Sequence, residues 1–354
     1  MSPTISEAYR ELPLPPHHIV PIDFGSLKSV PFSHQWFASD TQVGKLSTPS
    51  LKPRLDSHAI PVVDLASPDV LERLGRACEE WGVFQVVGHG ISSEELEEVE
   101  SQAERFFALP PEVKARVLRS PDGGAGYGIA RISSFFSKFM WHEGFTIMGS
   151  SLDYAKQIWP HDYQHFSDVM DEYQKKVKNL SQRLMLQILS SLKVSDLPET
   201  SSICPNPATA STALQLNHYP SCPDPDLALG LAPHTDSFLI TVLHQARRAH
   251  GLQVFNDRAG GWVPVSPLQN ALVVNVGDLL HVLSNGRYVS ALHRVAVSER
   301  SRERVSVAYF YGPAADAEVA PLGAAAPVYR RFKVVDYVKL KARELDKAMS
   351  LMRI

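Results

Sequence analysis

His234-Thr235-Asp236 sets an imidazole and a carboxylate two residues apart at the end of an extended run. In a strand, residues i and i+2 point to the same side, so the two side chains can face one metal ion. A second imidazole completes such a site, and His293 is the candidate. Two imidazoles and one carboxylate on one face of Fe(II) leave the remaining positions open for O2 and a co-substrate. Further on, Arg304-Val305-Ser306 carries an arginine and a hydroxyl two apart on an expected strand. That pair suits a dicarboxylate whose far end is gripped by a planar guanidinium fork. Upstream, Asn217-His218-Tyr219 offers an amide and a phenol as donors on the strand leading into the site.

Other residues compete for these roles. An H-x-D triplet is a weak signal by itself in a chain with 14 histidines, and it gains weight from the ordered elements around it. His244 and His281 lie in apolar stretches where a buried, hydrogen-bonded histidine is the commoner case, and His218 is a third competitor. Asp224 and Asp278 read as turn residues. A structural zinc site would recruit thiolates, and Cys78, Cys204 and Cys222 are distant in sequence with no metal-type spacing. The glycine-rich segment from Gly123 to Gly128 lacks the Lys-Ser/Thr and the preceding apolar strand of a phosphate loop.

The elements that must position these residues fall into two halves. Residues 1–57 are proline-rich and aperiodic and read as an irregular surface arm, in part disordered. From Ala59, IPVVDLA reads as a strand, Pro68 to Trp81 as a helix, and VFQVVGHG as a second strand. Ser92 and Glu95 form a capping box that opens a helix through Phe107, and Pro110-Pro111 starts another. Arg131 to Phe145 is dense in aromatics without a helical stripe, and could be either buried packing or an apolar wall over a site. Apolar residues from Phe166 to Ile188 recur at helical spacing, and 198–210 is linker-like. Beyond Thr212, seven short strands separated by turns predict a sandwich or barrel rather than a crossover-connected parallel sheet. Asp336 to Met352 reads as a C-terminal helix. The expected division is an arm (1–57), a largely helical N-terminal region (58–207), a β-rich site domain (208–315) and a C-terminal extension (316–354).

Composition bounds the rest. At 354 residues, with 44% apolar and 21% charged residues, the chain suits a soluble globular fold. A net charge of −3 gives no electrostatic case for nucleic acid or an anionic membrane. An odd cysteine count, no apolar span and no apolar h-region at the N-terminus lead us to expect a cytoplasmic monomer acting on a small molecule.

With those residues in view, the chain resembles the plant 2-oxoglutarate- and Fe(II)-dependent dioxygenases from about residue 58 to its end. IPVVDL and WGVFQVVGHG look like that family's N-terminal region. GYGIARISSFFSKFMWHEGFTI, LQLNHYPSCPDPDLALGLAPHTDS and LVVNVGDLLHVLSNGRYVSALHRV look most like gibberellin 3-beta-dioxygenases, and the first of these lies outside the iron site that the subfamilies share. The resemblance implies an α+β chain with a mainly β core, a double-stranded β-helix or jelly roll with flanking helices. It implies His234, Asp236 and His293 on iron, and Arg304 and Ser306 on 2-oxoglutarate with Tyr219 and Asn217 completing that pocket. Ascorbate would serve as reductant. The implied reaction is hydroxylation at carbon 3 of a nineteen-carbon gibberellin; oxidation at another ring position, or action on a flavonoid or other specialised metabolite, are the alternatives. Gibberellins are carboxylates on an apolar skeleton, so Arg131 amid Phe135, Phe139 and Trp141 is the expected substrate wall.

Overall fold

The computed structural model describes residues 4–37, 59–194, 204–246, 250–297, 303–323 and 325–354. Residues 38–57 of the expected arm and 198–203 of the expected linker lie outside them.

Among the described residues, and beside a separate two-stranded sheet, twelve strands form the two main sheets. They are β1 (Val62–Asp64), β2 (Val83–Val87), β3 (Gly126–Gly128), β4 (Glu143–Ile147), β5 (Ser211–Tyr219), β6 (Leu229–His234), β7 (Ile240–Gln245), β8 (Leu252–Asn256), β9 (Gly261–Pro264), β10 (Leu272–Val276), β11 (His293–Ala296) and β12 (Arg304–Gly312). The larger sheet runs β1-β2-β10-β7-β12-β5-β4-β3 and the smaller β6-β11-β8-β9. Apart from the parallel β1–β2 pair, the pairings are antiparallel. Tyr219, Leu243, Val273 and Ala308 of the larger sheet pack in one apolar cluster with Leu252, Val254 and Val295 of the smaller. Two sheets closing on a shared core make the expected jelly roll.

The flanking helices follow from their apolar stripes. Gln164–Ser191 buries Phe166, Met170, Tyr173, Val177, Leu180, Leu184 and Ile188, the run that the spacing predicts. Ser93–Phe107 carries the expected capping box: Ser92 Oγ accepts from the Glu95 N–H at 3.3 Å, and the Ser92 N–H donates to Glu95 Oε2 at 3.0 Å.

Several expectations change. The arm is irregular, built from short 3₁₀ turns. It does not simply lie on the surface, because Ile5, Ala8, Leu14, Ile19, Val30 and Trp36 are buried. These side chains are spaced too unevenly to show a period, yet Ile5, Ala8, Val30 and Trp36 join apolar clusters of the body. β6 breaks the strand pattern with Gly230 and Pro233 and still pairs with β11. β3 and β4 emerge from the glycine-rich and aromatic segments and extend the larger sheet past β5. The C-terminal helix is two, Val334–Glu344 and Lys347–Leu351, broken at Leu345 with φ +43°. Asp278 is not a turn residue: it opens the helix Asp278–Leu283 and is buried.

Candidate metal and co-substrate site

Pairing of β6 with β11 puts His234 opposite His293, with their rings 4.3 Å apart. Asp236, just past the end of β6, brings Oδ1 to 3.8 Å from His234 Nε2 and 3.9 Å from His293 Nε2. One ligand atom from each of the three lies within 4.8 Å of the others, the one such cluster of histidine, cysteine or acidic side chains among the described residues.

The groups behind this triad fix which atoms face inward. His234 Nδ1 donates to the Ala232 carbonyl at 2.8 Å and His293 Nδ1 to the Ala291 carbonyl at 2.9 Å. A carbonyl only accepts, so both rings keep the proton on Nδ1 and turn a lone-pair Nε2 toward Asp236. Asp236 Oδ2 accepts from Thr241 Oγ1 at 2.7 Å and from Asn275 Nδ2 at 3.4 Å, leaving Oδ1 for the shared centre. Burial, reinforced by the neighbouring His293, holds His234 well below the ordinary imidazole range. Burial works to raise Asp236, but His293 and His234 hold its carboxyl below the usual range. Two imidazole Nε2 atoms and one carboxylate Oδ1 converging on one point fit a ferrous ion, and these three residues could hold it.

β12 lies between β5 and β7, so Ser306 is flanked by Asn217 and Gln245, and Arg304 sits opposite Tyr219. Arg304 is buried, with its guanidinium 4.9 Å from the centre of the Tyr219 ring. Its Nη1 donates to Ser306 Oγ at 2.9 Å and its Nη2 to Gln245 Oε1 at 3.2 Å, while Nε has no partner. A buried guanidinium with no carboxylate beside it among the described residues is a costly arrangement, and it fits the distal carboxylate of a dicarboxylate. Sequence reasoning missed Gln245, which only the β7–β12 register reveals. It also missed His142, whose Nε2 meets Asn217 Oδ1 at 3.1 Å and whose ring is 5.0 Å from that of Tyr219. Burial pushes His142 down to about 4, so it is neutral at physiological pH.

His234 and Asp236 form part of the wall of a cavity of about 450 Å³. Ile129, Leu231, Phe238 and Phe310 make apolar walls, Tyr9 and Pro15 of the arm and Leu345 of the C-terminal segment also line it, and Arg119, Arg131 and Lys341 are its cationic members. The expected substrate wall divides. Phe135 and Arg131 line the cavity, but Phe139 and Trp141 do not. Trp141 is fully buried in a separate cluster with Val30 and Cys222, its Nε1 donating to the Pro220 carbonyl. Phe139 packs at a tilt against the rings of His18 and His34 of the arm. The fork of Arg131 is committed to the main chain, Nη1 to the Gly123 carbonyl at 2.6 Å and Nη2 to the Leu12 carbonyl at 3.1 Å, over the Tyr9 ring at 4.1 Å. It staples the arm in place. The competing histidines lie elsewhere: His218 between Glu143 and Glu303, His281 on the Tyr288 carbonyl and Tyr329 hydroxyl, and His244 facing Glu100 at 3.4 Å.

Comparison with known proteins agrees with this geometry. Residues 210–313 match the model of the 2OG-Fe(II) oxygenase superfamily, and residues 60–162 match that of the N-terminal region of non-haem dioxygenases in morphine synthesis. The JOX2 crystal structure in complex with 2OG, Fe and JA superposes with a TM-score of 0.77 at 29% identity, covering 93% of this chain and 95% of that one. The rice dioxygenase for auxin oxidation superposes at 0.68 with 26% identity, covering 83% of this chain and 100% of that one. The chain belongs to the 2-oxoglutarate- and Fe(II)-dependent oxygenases and is a dioxygenase that uses Fe(II), 2-oxoglutarate and O2. Within that class its chain-wide similarity is to gibberellin 3-beta-dioxygenases. It is 46% identical to gibberellin 3-beta-dioxygenase 1 of Pisum sativum, over 99% of this chain and 94% of the relative. It is 41% identical to gibberellin 3-beta-dioxygenase 1 of Arabidopsis thaliana, over 100% and 99%. No helix among the described residues is long and apolar enough to cross a membrane.

Proposed function

We propose that this chain hydroxylates carbon 3 of a nineteen-carbon gibberellin, acting as a cytoplasmic monomer. The observation that carries this reading is that His234 and Asp236 open onto one largely apolar cavity of about 450 Å³, in the range that takes a compact ring system. The similarity to gibberellin 3-beta-dioxygenases along the whole chain supports the choice of ring system. His234, Asp236 and His293 hold the iron through two Nε2 atoms and one Oδ1. Arg304 and Ser306 grip the far carboxylate of 2-oxoglutarate, with Tyr219 and Asn217 lining its pocket. Bound Fe(II) with 2-oxoglutarate and O2 supplies C–H oxidation coupled to decarboxylation of 2-oxoglutarate to succinate and CO2. The protein's own work is to orient the target C–H and exclude water, and residues of the arm and C-terminal segment line the cavity where that happens.

The test is turnover by purified protein with Fe(II), ascorbate and 2-oxoglutarate, with products read by mass spectrometry. The expected product carries a new hydroxyl at carbon 3, is absent without 2-oxoglutarate, and is lost in His293→Ala while the circular dichroism spectrum is kept. A hydroxyl placed elsewhere overturns the regiochemistry, and succinate release with no gibberellin consumed overturns the substrate.

A further inference from the structure

Arg119 lies just before the glycine-rich segment, outside the strands that carry the metal and co-substrate residues. It is only 5% exposed, and it lines the cavity shared with His234 and Asp236. Its Nη2 donates to the Ile129 carbonyl, its Nε has no hydrogen-bond partner, and no carboxylate approaches it within 4.0 Å among the described residues. A second guanidinium, Arg131, lines the same part of the cavity with its terminal nitrogens already on the Gly123 and Leu12 carbonyls. The Tyr9 phenol completes the corner, and burial, partly opposed by the two arginines, raises it so that it stays a neutral donor. Asp236, the carboxylate in the cavity wall, is turned to the metal centre, so the charge of Arg119 stays uncompensated until an anion arrives.

We propose that Arg119 receives the carboxylate of the substrate, with Arg131 and Tyr9 shaping the same corner. This rests on the proposed function, and it assigns the carboxylate-reading role to a different arginine from the one that the sequence suggested. A carboxylate is the anion whose planar pair of acceptors matches a guanidinium fork. The apolar remainder of the cavity suits a single charge on a hydrophobic skeleton. The fold fixes Arg119 in position. Its backbone N–H donates to the Tyr127 carbonyl at 2.8 Å. Gly126, at φ +116°, has no Cβ, and one placed there would stand 2.6 Å from Arg119 Cα. Part of the use of that glycine-rich segment is this close approach.

The test compares a gibberellin acid with its methyl ester on wild-type enzyme, Arg119→Gln and Arg119→Lys, reading KM and kcat separately. Succinate release without gibberellin serves as the control for an intact iron and co-substrate site. We expect the wild type to show a KM for the ester about ten- to a hundredfold above that for the acid. Arg119→Gln should raise the KM for the acid by a similar factor and leave the KM values for the ester and for 2-oxoglutarate unmoved. Arg119→Lys should recover part of the loss. A wild type that treats acid and ester alike overturns the inference, as does an unchanged acid KM in Arg119→Gln. A rise in the KM for 2-oxoglutarate would place Arg119 with the co-substrate and overturn it too. If the wild type consumes neither compound, the proposed function itself falls and takes this inference with it. If Arg119→Gln fails to fold, the ester comparison on wild type and the KM of Arg119→Lys still decide.

Discussion

Arg304 shows how much one side chain depends on what it is left without. Its fork is shared between Ser306 and Gln245, and its Nε is orphaned inside the jelly roll. Replacing it by Gln removes the charge but keeps hydrogen-bonding capacity. Charge-assisted hydrogen bonds contribute about 1.5–3 kcal/mol, so the KM for 2-oxoglutarate should rise about ten- to a hundredfold. Initial rates against 2-oxoglutarate at saturating gibberellin check this; an unchanged KM would remove Arg304 from the co-substrate pocket. The residues that carry this chemistry are legible in the sequence because side-chain direction in a strand alternates. Arg304 and Ser306 must share a face whatever else happens. Gln245 is not legible, since its place beside Ser306 depends on the β7–β12 register.

At the scale of elements, the helix Val334–Glu344 reaches back to the metal loop through one lysine. Lys341 Nζ donates to the Thr235 carbonyl at 2.8 Å and to its Oγ1 at 2.6 Å, and also pairs with Asp278. Asp278 in turn accepts from Tyr337 and Ser290, and its backbone N–H donates to the Asp236 carbonyl. The C-terminal helix therefore braces Thr235, which stands between two candidate iron ligands. Lys341→Met leaves a buried carboxylate without its cation, which typically costs about 3–5 kcal/mol. Denaturant midpoints should show that loss, and ferrous ion should bind more weakly because the loop is less constrained. A stability within error of wild type would mean that Tyr337 and Ser290 suffice. The helical stripe from 334 onward is readable from periodicity. The destination of Lys341 is not, because a lysine on a helix face has the same local signature whether it is solvated or buried.

For the whole molecule, the buried junction between the N-terminal region and the jelly roll is polar. Glu143 of β4 bonds Lys114 at 2.8 Å and His218 of β5 at 2.8 Å, and the Tyr127 hydroxyl donates to it. Burial works to raise Glu143, but His218 and Lys114 outweigh it and hold the carboxyl at about 2. Burial works to lower His218, but Glu143 and Glu303 outweigh it and raise the imidazole. For Glu143 the folded pKa is the lower one. Its stabilisation is complete above the ordinary carboxylate range, near 4.5, and is lost as pH falls toward about 2. For His218 the sign is reversed: its share is complete below about 6.5 and is lost as pH rises through the raised value. Melting temperature against pH should fall below about 4.5 in the wild type and more shallowly in Glu143→Gln. Parallel acid limbs would show that other carboxylates govern the acid transition. By contrast, the pairs joining Glu11 to Lys339 at 3.1 Å and to Arg343 at 3.2 Å are solvent-exposed and contribute little. The arm is held mainly by its buried apolar residues.

The sequence by itself determined the candidate ligand types and their order, the capping box at Ser92, the long amphipathic helix and the β-rich half. Each of these is local, written in the 2- and 3.6-residue periods or in chemistry that one short segment supplies. It also placed the aromatics near the site without telling which of them reach it. Phe135 lines the cavity, whereas Trp141, a few residues further along, is buried in a separate cluster. Which arginine is free and which is spent was decided only in three dimensions. The arm's Leu12 carbonyl, distant in sequence, occupies Arg131, whereas Arg119 keeps an unpartnered Nε and has no carboxylate within 4.0 Å among the described residues. Long-range partners are chosen by close packing across the whole chain, and no spacing within a segment encodes them.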